Sequence, residues 1–297
     1  MSGPGWPAET APGRRLRDLL GGPVPLVLPG CSDALTARLA ARAGFEAIYA
    51  TGAGIANALL GLPDVGLTTM TEIVEQVARI TSAVDVPVVA DIDTGFGNAI
   101  NVRRAVAEIE RAGAAAVQIE DQVFPKRCGH FDGKAIVPLS EMLAKIRAAL
   151  DARRDPAFVV IARTDALAVD GFEAAVERGR AFAAAGADVV FVEAPTSLDE
   201  LAALPGLIPA PLVANMVEGG RTPLVGAAEL GAMGYRVVLY ANTALRAGTL
   251  AVRDVLVELR ATGDSRALAD RLLSWEDRQA LVGLAEFEAL EMRYRAE

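Results

Sequence analysis

The chain is poor in several residues on which whole classes of protein depend. It has only two cysteines, Cys31 and Cys128, which cannot build a disulfide framework, and nothing else in it points to an oxidising compartment. Histidine occurs once, as His130, and both tryptophans, Trp6 and Trp275, fall near the ends. Positive charge is in deficit, with 29 Lys+Arg against 38 Asp+Glu and a net charge of −9. A broad nucleic-acid or anionic-membrane surface needs clustered Lys and Arg, so neither partner is expected; a small anionic substrate needs only a few local cations. Long apolar runs are missing too, each being interrupted well before the roughly 18 residues that a membrane span requires. Residues 1–13 are rich in Pro and Gly, lack the apolar segment of a signal peptide, and read as a flexible leader. A cytoplasmic protein is the expectation.

What the chain does have is core-forming material: 52% of its 297 residues are hydrophobic. Short Val- and Ile-rich runs at 25–29, 47–51, 87–93, 116–120, 158–163, 189–193, 211–215 and 236–240 are apolar on both faces, as parallel strands covered on both sides must be. Amphipathic stretches lie between them, at 33–43, 71–84, 102–112, 140–152 and 172–185. Ala43-Gly44, Ala112-Gly113 and Ala185-Gly186 end three of these with a helix-stopping glycine. Eight strands alternating with helices predict a (β/α)8 barrel of the TIM type over residues 14–260, with an open doubly wound sheet as the rival. Residues 261–297 form a helical extension, with helices expected at 265–273 and 275–295. Its apolar stripe must be buried either on its own barrel or on a neighbouring subunit.

In such a barrel chemistry sits at the C-terminal strand ends. Those ends carry Thr51-Gly52-Ala53-Gly54, Asp91-Ile92-Asp93, Glu120-Asp121, Arg163-Thr164-Asp165, Glu193 and Asn215. Asp91 and Asp93 are spaced i, i+2, which on a strand turns both carboxylates to one face. Two such charges share a proton or hold a cation, and Glu120 on the next strand would complete an all-oxygen site suited to Mg2+ or Mn2+. The competing reading makes the aspartates caps for the following helix and loop. The small residues at 51–54 could cradle an anion with backbone N–H groups, or simply permit close packing. Arg163 can offer a bidentate fork to a substrate carboxylate, or neutralise the acidic rim. Asp64 sits in the loop after the second strand, in reach of a metal's water shell or in a turn.

Residues 121–138 form a long connection without periodicity, of the kind that is usually a functional lid or disordered. It holds Lys126, Arg127, Cys128, His130 and Lys134, with Gly129 and Gly133 between them. Neighbouring cations lower a thiol's pKa, which makes Cys128 a candidate proton donor. A nucleophilic Cys–His pair is also possible but leaves the carboxylates without a role. Cys31 reads as structural. Lys145, Arg147, Arg153 and Arg154 fall on a helix or its end and read as solvated surface.

These residues together resemble the isocitrate lyase/phosphoenolpyruvate mutase superfamily, from about Leu19 to Arg260. The specific parts are Gly61-Leu62-Pro63-Asp64, Asp91-Ile92-Asp93-Thr94-Gly95-Phe96-Gly97-Asn98, Gln118-Ile119-Glu120-Asp121-Gln122 and Lys126-Arg127-Cys128-Gly129-His130. Ala162-Arg163-Thr164-Asp165-Ala166 and Asn215-Met216-Val217-Glu218-Gly219-Gly220 extend the match. The resemblance implies a barrel whose eighth helix is exchanged between paired subunits, in a homo-oligomeric dimer of dimers. It also implies Mg2+ (Mn2+ possible) on Asp91, Asp93 and Glu120, partly through water. Substrate would meet Tyr49, Thr51, Gly52, Ala53, Asp64, Gly129, Asn215 and Glu218, and the catalytic set would be Cys128, Arg163, Lys126, His130 and Glu193.

Members with a cysteine in that loop are mostly carbon–carbon lyases of the methylisocitrate and 2,3-dimethylmalate type. The implied activity is cleavage of a 2-hydroxy di- or tricarboxylate into a 2-oxo acid and a second carboxylate. Carboxyphosphonoenolpyruvate- or phosphonopyruvate-type mutases are similar in the same motifs, and oxaloacetate hydrolysis or decarboxylation is a further alternative. A non-catalytic dicarboxylate-binding barrel is the rival from another class. Three departures bear on specificity: Thr51 where serine is common, Tyr240-Ala241-Asn242-Thr243 without the proline often found there, and Cys31 in place of an aromatic neighbourhood.

Overall fold

The computed structural model describes residues 11–127 and 133–295. Eight strands run Leu26–Cys31 (β1), Ile48–Ala50 (β2), Val88–Asp91 (β3), Ala116–Glu120 (β4), Val159–Thr164 (β5), Val189–Val192 (β6), Leu212–Asn215 (β7) and Val237–Tyr240 (β8). Each pairs in parallel with the next, and β8 returns to β1 in a register running from Leu26↔Val237 to Pro29↔Tyr240. That last pairing closes the barrel and rules out the open doubly wound sheet.

Alternation along the strands sorts the side chains into two cores. Leu28, Val89, Val159, Ile161, Phe191, Val213 and Leu239 fill the barrel interior. Their neighbours Val88, Ala90, Val117, Ile119, Val160 and Val190 face the helices. Both sets are buried, which is why the strand sequences read as continuous apolar runs.

The helix ring consists of Ala34–Arg42 (α2), Gly52–Ile55 (α3, continued as one π-helical turn Ala56–Leu60), Met70–Thr81 (α4), Ala99–Arg111 (α5), Leu139–Ala152 (α6), Ala166–Asp170 (α7), Phe172–Ala184 (α8), Leu198–Leu207 (α9), Ala227–Met233 (α10) and Thr243–Thr262 (α11). Local sequence sets their starts. Asp33 accepts the Thr36 N–H at 2.8 Å, and Thr69 with Glu72, like Asn98 with Asn101, forms a reciprocal capping box.

A further helix, Pro12–Leu20 (α1), precedes β1 and closes the N-terminal end of the barrel. Leu16 is buried in the interior core, and Arg17 Nε donates to the Ala157 carbonyl at 2.8 Å. Gly13 lies so close to β5 that a Cβ there would be 2.7 Å from the Ala157 carbonyl carbon. Positions 12 and 13 therefore belong to the barrel rather than to the leader, of which residues 1–10 lie outside the described residues.

Beyond α11 the chain forms a 3-10 turn at Arg266–Arg271 rather than a full helix, then Trp275–Val282 (α12) and Leu284–Tyr294 (α13). Gly283, at φ +79°, splits the single helix expected over 275–295. Leu268 and Leu281 are buried, and α12 packs against α2 of its own barrel. By contrast, within the described residues no side chain of α11 is buried, and Leu250, Leu256 and Val257 are more than half exposed. Among the described residues no helix is long and apolar enough to cross a membrane.

Candidate active site

The polar strand ends converge at the C-terminal rim on a cavity. Asp91 ends β3, but the strand stops there, so side-chain alternation does not reach Asp93. That basis for pairing them is corrected by the structure. Asp93 adopts φ +50°, a left-handed conformation uncommon for a residue with a side chain. This turn returns its carboxylate toward Asp91. A Cβ on Gly52 would meet Asp91 Oδ2 at 3.0 Å and Asp93 Oδ1 at 3.2 Å, so both carboxylates press on one spot that only glycine leaves open.

Asp91 is held on every side. Its Oδ1 accepts the Asp93 N–H at 3.1 Å and Gln118 Nε2 at 3.4 Å, and its Oδ2 accepts the Gly52 N–H at 3.2 Å. Gln118 in turn accepts the hydroxyl of Tyr49. The first amide of the 51–54 segment thus binds a carboxylate of the protein itself, and Gly52 lies behind the cavity wall while Thr51 and Ala53 line it. Burial, and then the Asp91 charge, push the Tyr49 phenol well above its ordinary range, so it serves as a neutral donor.

Lys126 enters from the long connection and is 4% exposed. Its ammonium bonds Asp64 and lies 2.9 Å from Asp93 Oδ1. Burial alone would lower its pKa, but Asp93, Glu120, Asp64 and Asp91 outweigh burial and hold it charged. Burial pushes Asp93 up to about 6, with Lys126 opposing and the Asp91 charge reinforcing the shift. Glu120 is pushed well above the carboxylate range by burial, with Arg163 opposing. Its Oε1 is buried without a hydrogen-bond partner among the described residues.

Arg163 lines the cavity, 10% exposed, with its guanidinium 5.2 Å from the centre of the Phe191 ring. Its fork is already engaged: Nε and Nη2 donate to Asp165 at 3.0 and 3.1 Å, and Nη1 pairs with Glu193 at 3.1 Å. Glu120 Oε2 lies 3.4 Å from Nε. Lys134 pairs with Asp165 at 2.7 Å, and these two cations together hold the Asp165 carboxyl below its usual range despite full burial. Glu193 also accepts Asn215 Nδ2 at 3.4 Å, which orients that amide at the cavity edge. Arg163 is thus paired with three carboxylates of the rim.

Other expectations fall out as follows. Glu218 does not line the cavity; its carboxylate accepts the Thr243 hydroxyl at 2.7 Å at the start of α11. Cys31 is fully buried among barrel and helix side chains, and burial pushes its thiol up to about 12, in keeping with a structural role. Lys145 and Arg153, read as solvated surface, are not: Lys145 is 3% exposed, and Arg153 pairs with Asp188 at 3.1 Å. Cys128, Gly129 and His130 lie outside the described residues.

The sequence assigned no role to Gln118, Asp165, Phe191 or Asn242. The first three lie two residues from Glu120, Arg163 and Glu193, so strand parity was the signal that could have found them. Asn242 follows β8 and lines the cavity, with its Oδ1 buried and without a partner among the described residues.

Among the described residues lining the cavity, Asp64, Asp91, Glu120 and Glu193 stand against Lys126, Arg127 and Arg163. Acid is in excess, and Asp93 lies just behind. Such a pocket does not by itself attract a polyanionic substrate; a divalent cation would offset the acidic excess. The donor set is all oxygen, and Glu120 Oε1 is an orphaned acceptor, so the residues fit a hard cation. Among the described residues no three metal-binding side chains converge tightly enough to enclose an ion unaided.

Residues 16–260 match the family profile described as Phosphoenolpyruvate phosphomutase. The chain belongs to the PEP mutase/isocitrate lyase superfamily. Among members of this superfamily, it is 45% identical to 2,3-dimethylmalate lyase of Eubacterium barkeri, over 94% of this chain and 97% of that one. It is also 45% identical to 2-methylisocitrate lyase of Shewanella oneidensis, over 93% and 94%. Solved superfamily structures superpose closely. Oxaloacetate acetylhydrolase in complex with 3,3-difluorooxalacetate has a TM-score of 0.90 at 37% identity, covering 96% of this chain and 97% of that one. Phosphonopyruvate hydrolase in complex with oxalate and Mg++ has a TM-score of 0.86 at 36% identity, over 96% and 99%.

Proposed function

We propose that this protein is a Mg2+-dependent carbon–carbon lyase that cleaves a 2-hydroxy di- or tricarboxylate of the 2-methylisocitrate or dimethylmalate type. The products are a 2-oxo acid and a second carboxylate. The observation that carries the reading is the pairing of Asp91 and Asp93 beside Gly52, with the orphaned Glu120 oxygen, at a cavity with excess acid. The likeness to named lyases of both kinds supports the choice of reaction.

Asp91, Asp93 and Glu120 would hold the ion, with Asp64 near its water shell. When bound, the ion supplies positive charge that stabilises the negative charge developing on substrate oxygens. The remaining work belongs to the chain. Arg163, kept charged by Asp165 and Glu193, adds a fixed cation beside Glu120. Lys126 holds Asp64 and Asp93 apart from each other's repulsion. Asn215, steered by Glu193, meets the substrate at the β7 edge.

In the reaction a base takes the hydroxyl proton and the carbinol oxygen becomes the 2-oxo group. The electron pair of the broken C–C bond passes to the departing fragment, held as the aci-form of its carboxylate. Cys128 gives that carbon a proton, and the resulting thiolate regains one from solvent.

We place this enzyme in the cytoplasm as a homo-oligomer, a dimer of dimers, with α11 exchanged between paired barrels. The uncovered apolar side chains of α11 support the pairing. A second reading, action on oxaloacetate, is favoured by the close superposition on oxaloacetate acetylhydrolase; mutase chemistry on a phosphonate is a third, in line with the family profile.

The test is a Mg2+-dependent assay over 2-methylisocitrate, isocitrate, dimethylmalate, oxaloacetate and phosphonopyruvate, with Cys128→Ser alongside. Release of a 2-oxo acid from one of the 2-hydroxy acids, lost in Cys128→Ser, is the expected result. Full lyase rate in Cys128→Ser removes the proton donor, and turnover of phosphonopyruvate alone, followed by phosphorus NMR, replaces the lyase reading.

A further inference from the structure

Lys145 is a buried cation that the proposed reaction does not use. It sits on the inner face of α6, outside the barrel, 3% exposed, and its Nζ donates to the Thr94 carbonyl at 3.1 Å. Its other partner is Glu141, one turn earlier at 3.7 Å and about half exposed. Burial lowers its pKa, with Glu141 opposing. Packing of α6 on α5 would be served as well by methionine or leucine at this place, without the cost of desolvating an ammonium.

The carbonyl it holds belongs to the turn that carries Asp93. Asp93 is left-handed at φ +50°, and so, two and three residues on, are Gly95 and Phe96. A conformation of this kind persists only where its surroundings over-determine it. Here they do. The Asp93 carbonyl accepts the Glu120 N–H at 2.9 Å, and the Gly95 N–H donates to Ile92 at 2.9 Å. The Thr94 carbonyl between them takes the Lys145 ammonium. Thr94 itself is 1% exposed, so water has little access to replace that donor.

We propose that Lys145 is a positioning residue for the cation site: by fixing the Thr94 carbonyl it locks Asp93 in the left-handed conformation that sets its carboxylate beside that of Asp91. This inference rests on reading those carboxylates as a divalent-cation site. Groups that orient metal ligands typically change metal affinity about 10–100-fold when removed.

The test measures Mn2+ binding to the metal-stripped, substrate-free protein by electron paramagnetic resonance, with circular dichroism as a check on folding. Lys145→Met is expected to stay folded and to bind Mn2+ about tenfold or more weakly. Lys145→Arg, which keeps a charged donor, is expected to stay near wild type. A folded Lys145→Met with wild-type affinity overturns the proposal, and so does equal loss in both variants, which would mark a packing effect. If Lys145→Met does not fold, Lys145→Gln, too short to reach Thr94, decides by the same tenfold criterion. Failure of the wild-type protein itself to bind Mn2+ would overturn the cation site and this inference with it, whereas absence of lyase turnover leaves the binding result standing.

Discussion

The ammonium of Lys126 lies 2.9 Å from Asp93 Oδ1 and also bonds Asp64, so a side chain from the long connection neutralises the carboxylates at the root of the site. Breaking a buried pair from one side leaves an uncompensated charge, at a cost of about 3–5 kcal/mol. Lys126→Met is therefore expected to lower the metal-free unfolding free energy by about that much, measured by urea titration, with Mn2+ restoring part of the loss. Loss without any restoration by Mn2+ would separate Lys126 from the cation site.

The pH dependence follows from Asp93, whose pKa rises on folding from 3.8 to about 6. A carboxyl raised in the folded state contributes stability that is full below the unfolded value and is lost as pH rises through the folded one. On this group's account, the metal-free protein becomes less stable as pH rises from about 4 to about 7. Glu120, also raised by burial, acts in the same direction. A divalent cation must displace these protons, so Mn2+ affinity is expected to fall by about tenfold per pH unit per displaced proton below pH 6. The rise in Tm on adding Mn2+ should accordingly be larger at pH 8 than at pH 5; an equal rise at both would contradict the shift.

Arg163 is held by Asp165 in a bidentate fork, and a lysine cannot reproduce that geometry. Arg163→Lys is expected to lower kcat by about 100-fold or more, the scale for losing one donor that stabilises developing charge. Asp165→Asn, which loosens the fork but keeps the guanidinium, should lose less. The comparison of kcat and KM for the two variants checks the order, and a larger loss in Asp165→Asn would reverse the assignment.

The uncovered side of α11 makes a separate prediction. Leu256→Glu combined with Val257→Glu alters two side chains more than half exposed in the single chain, so stability of the isolated barrel should be little changed. If those side chains are buried between subunits, sedimentation will show the double variant dissociated where the wild type is oligomeric. An unchanged sedimentation coefficient would contradict the pairing.

The barrel was legible because its strands are apolar on both faces and its helices end at glycines, signals local to each segment. The rim was legible for the same reason: Asp91, Glu120, Arg163, Glu193 and Asn215 stand at strand ends, where position alone implies function. Asp93 was chosen by a parity rule that fails one residue earlier, and a left-handed turn, visible only in three dimensions, does what alternation was expected to do. Lys145 was misread because helix position does not tell which face meets a neighbour's turn. Glu218 was carried to the site by a motif, yet its side chain turns to α11, a choice set by the partner it finds there. Gly283 shows the opposite case: a single glycine inside a periodic stretch was enough to break it.

The central claim is that this chain breaks a carbon–carbon bond next to a hydroxyl and protonates the carbon it releases. Running the Mg2+-dependent reaction in D2O with the best 2-hydroxy acid and following both products by NMR tests it most directly. One deuterium in the second carboxylate and none transferred by cleavage to the 2-oxo acid is the result this account predicts. Products formed without deuterium at that carbon, or formed equally well in the presence of excess EDTA, would contradict it.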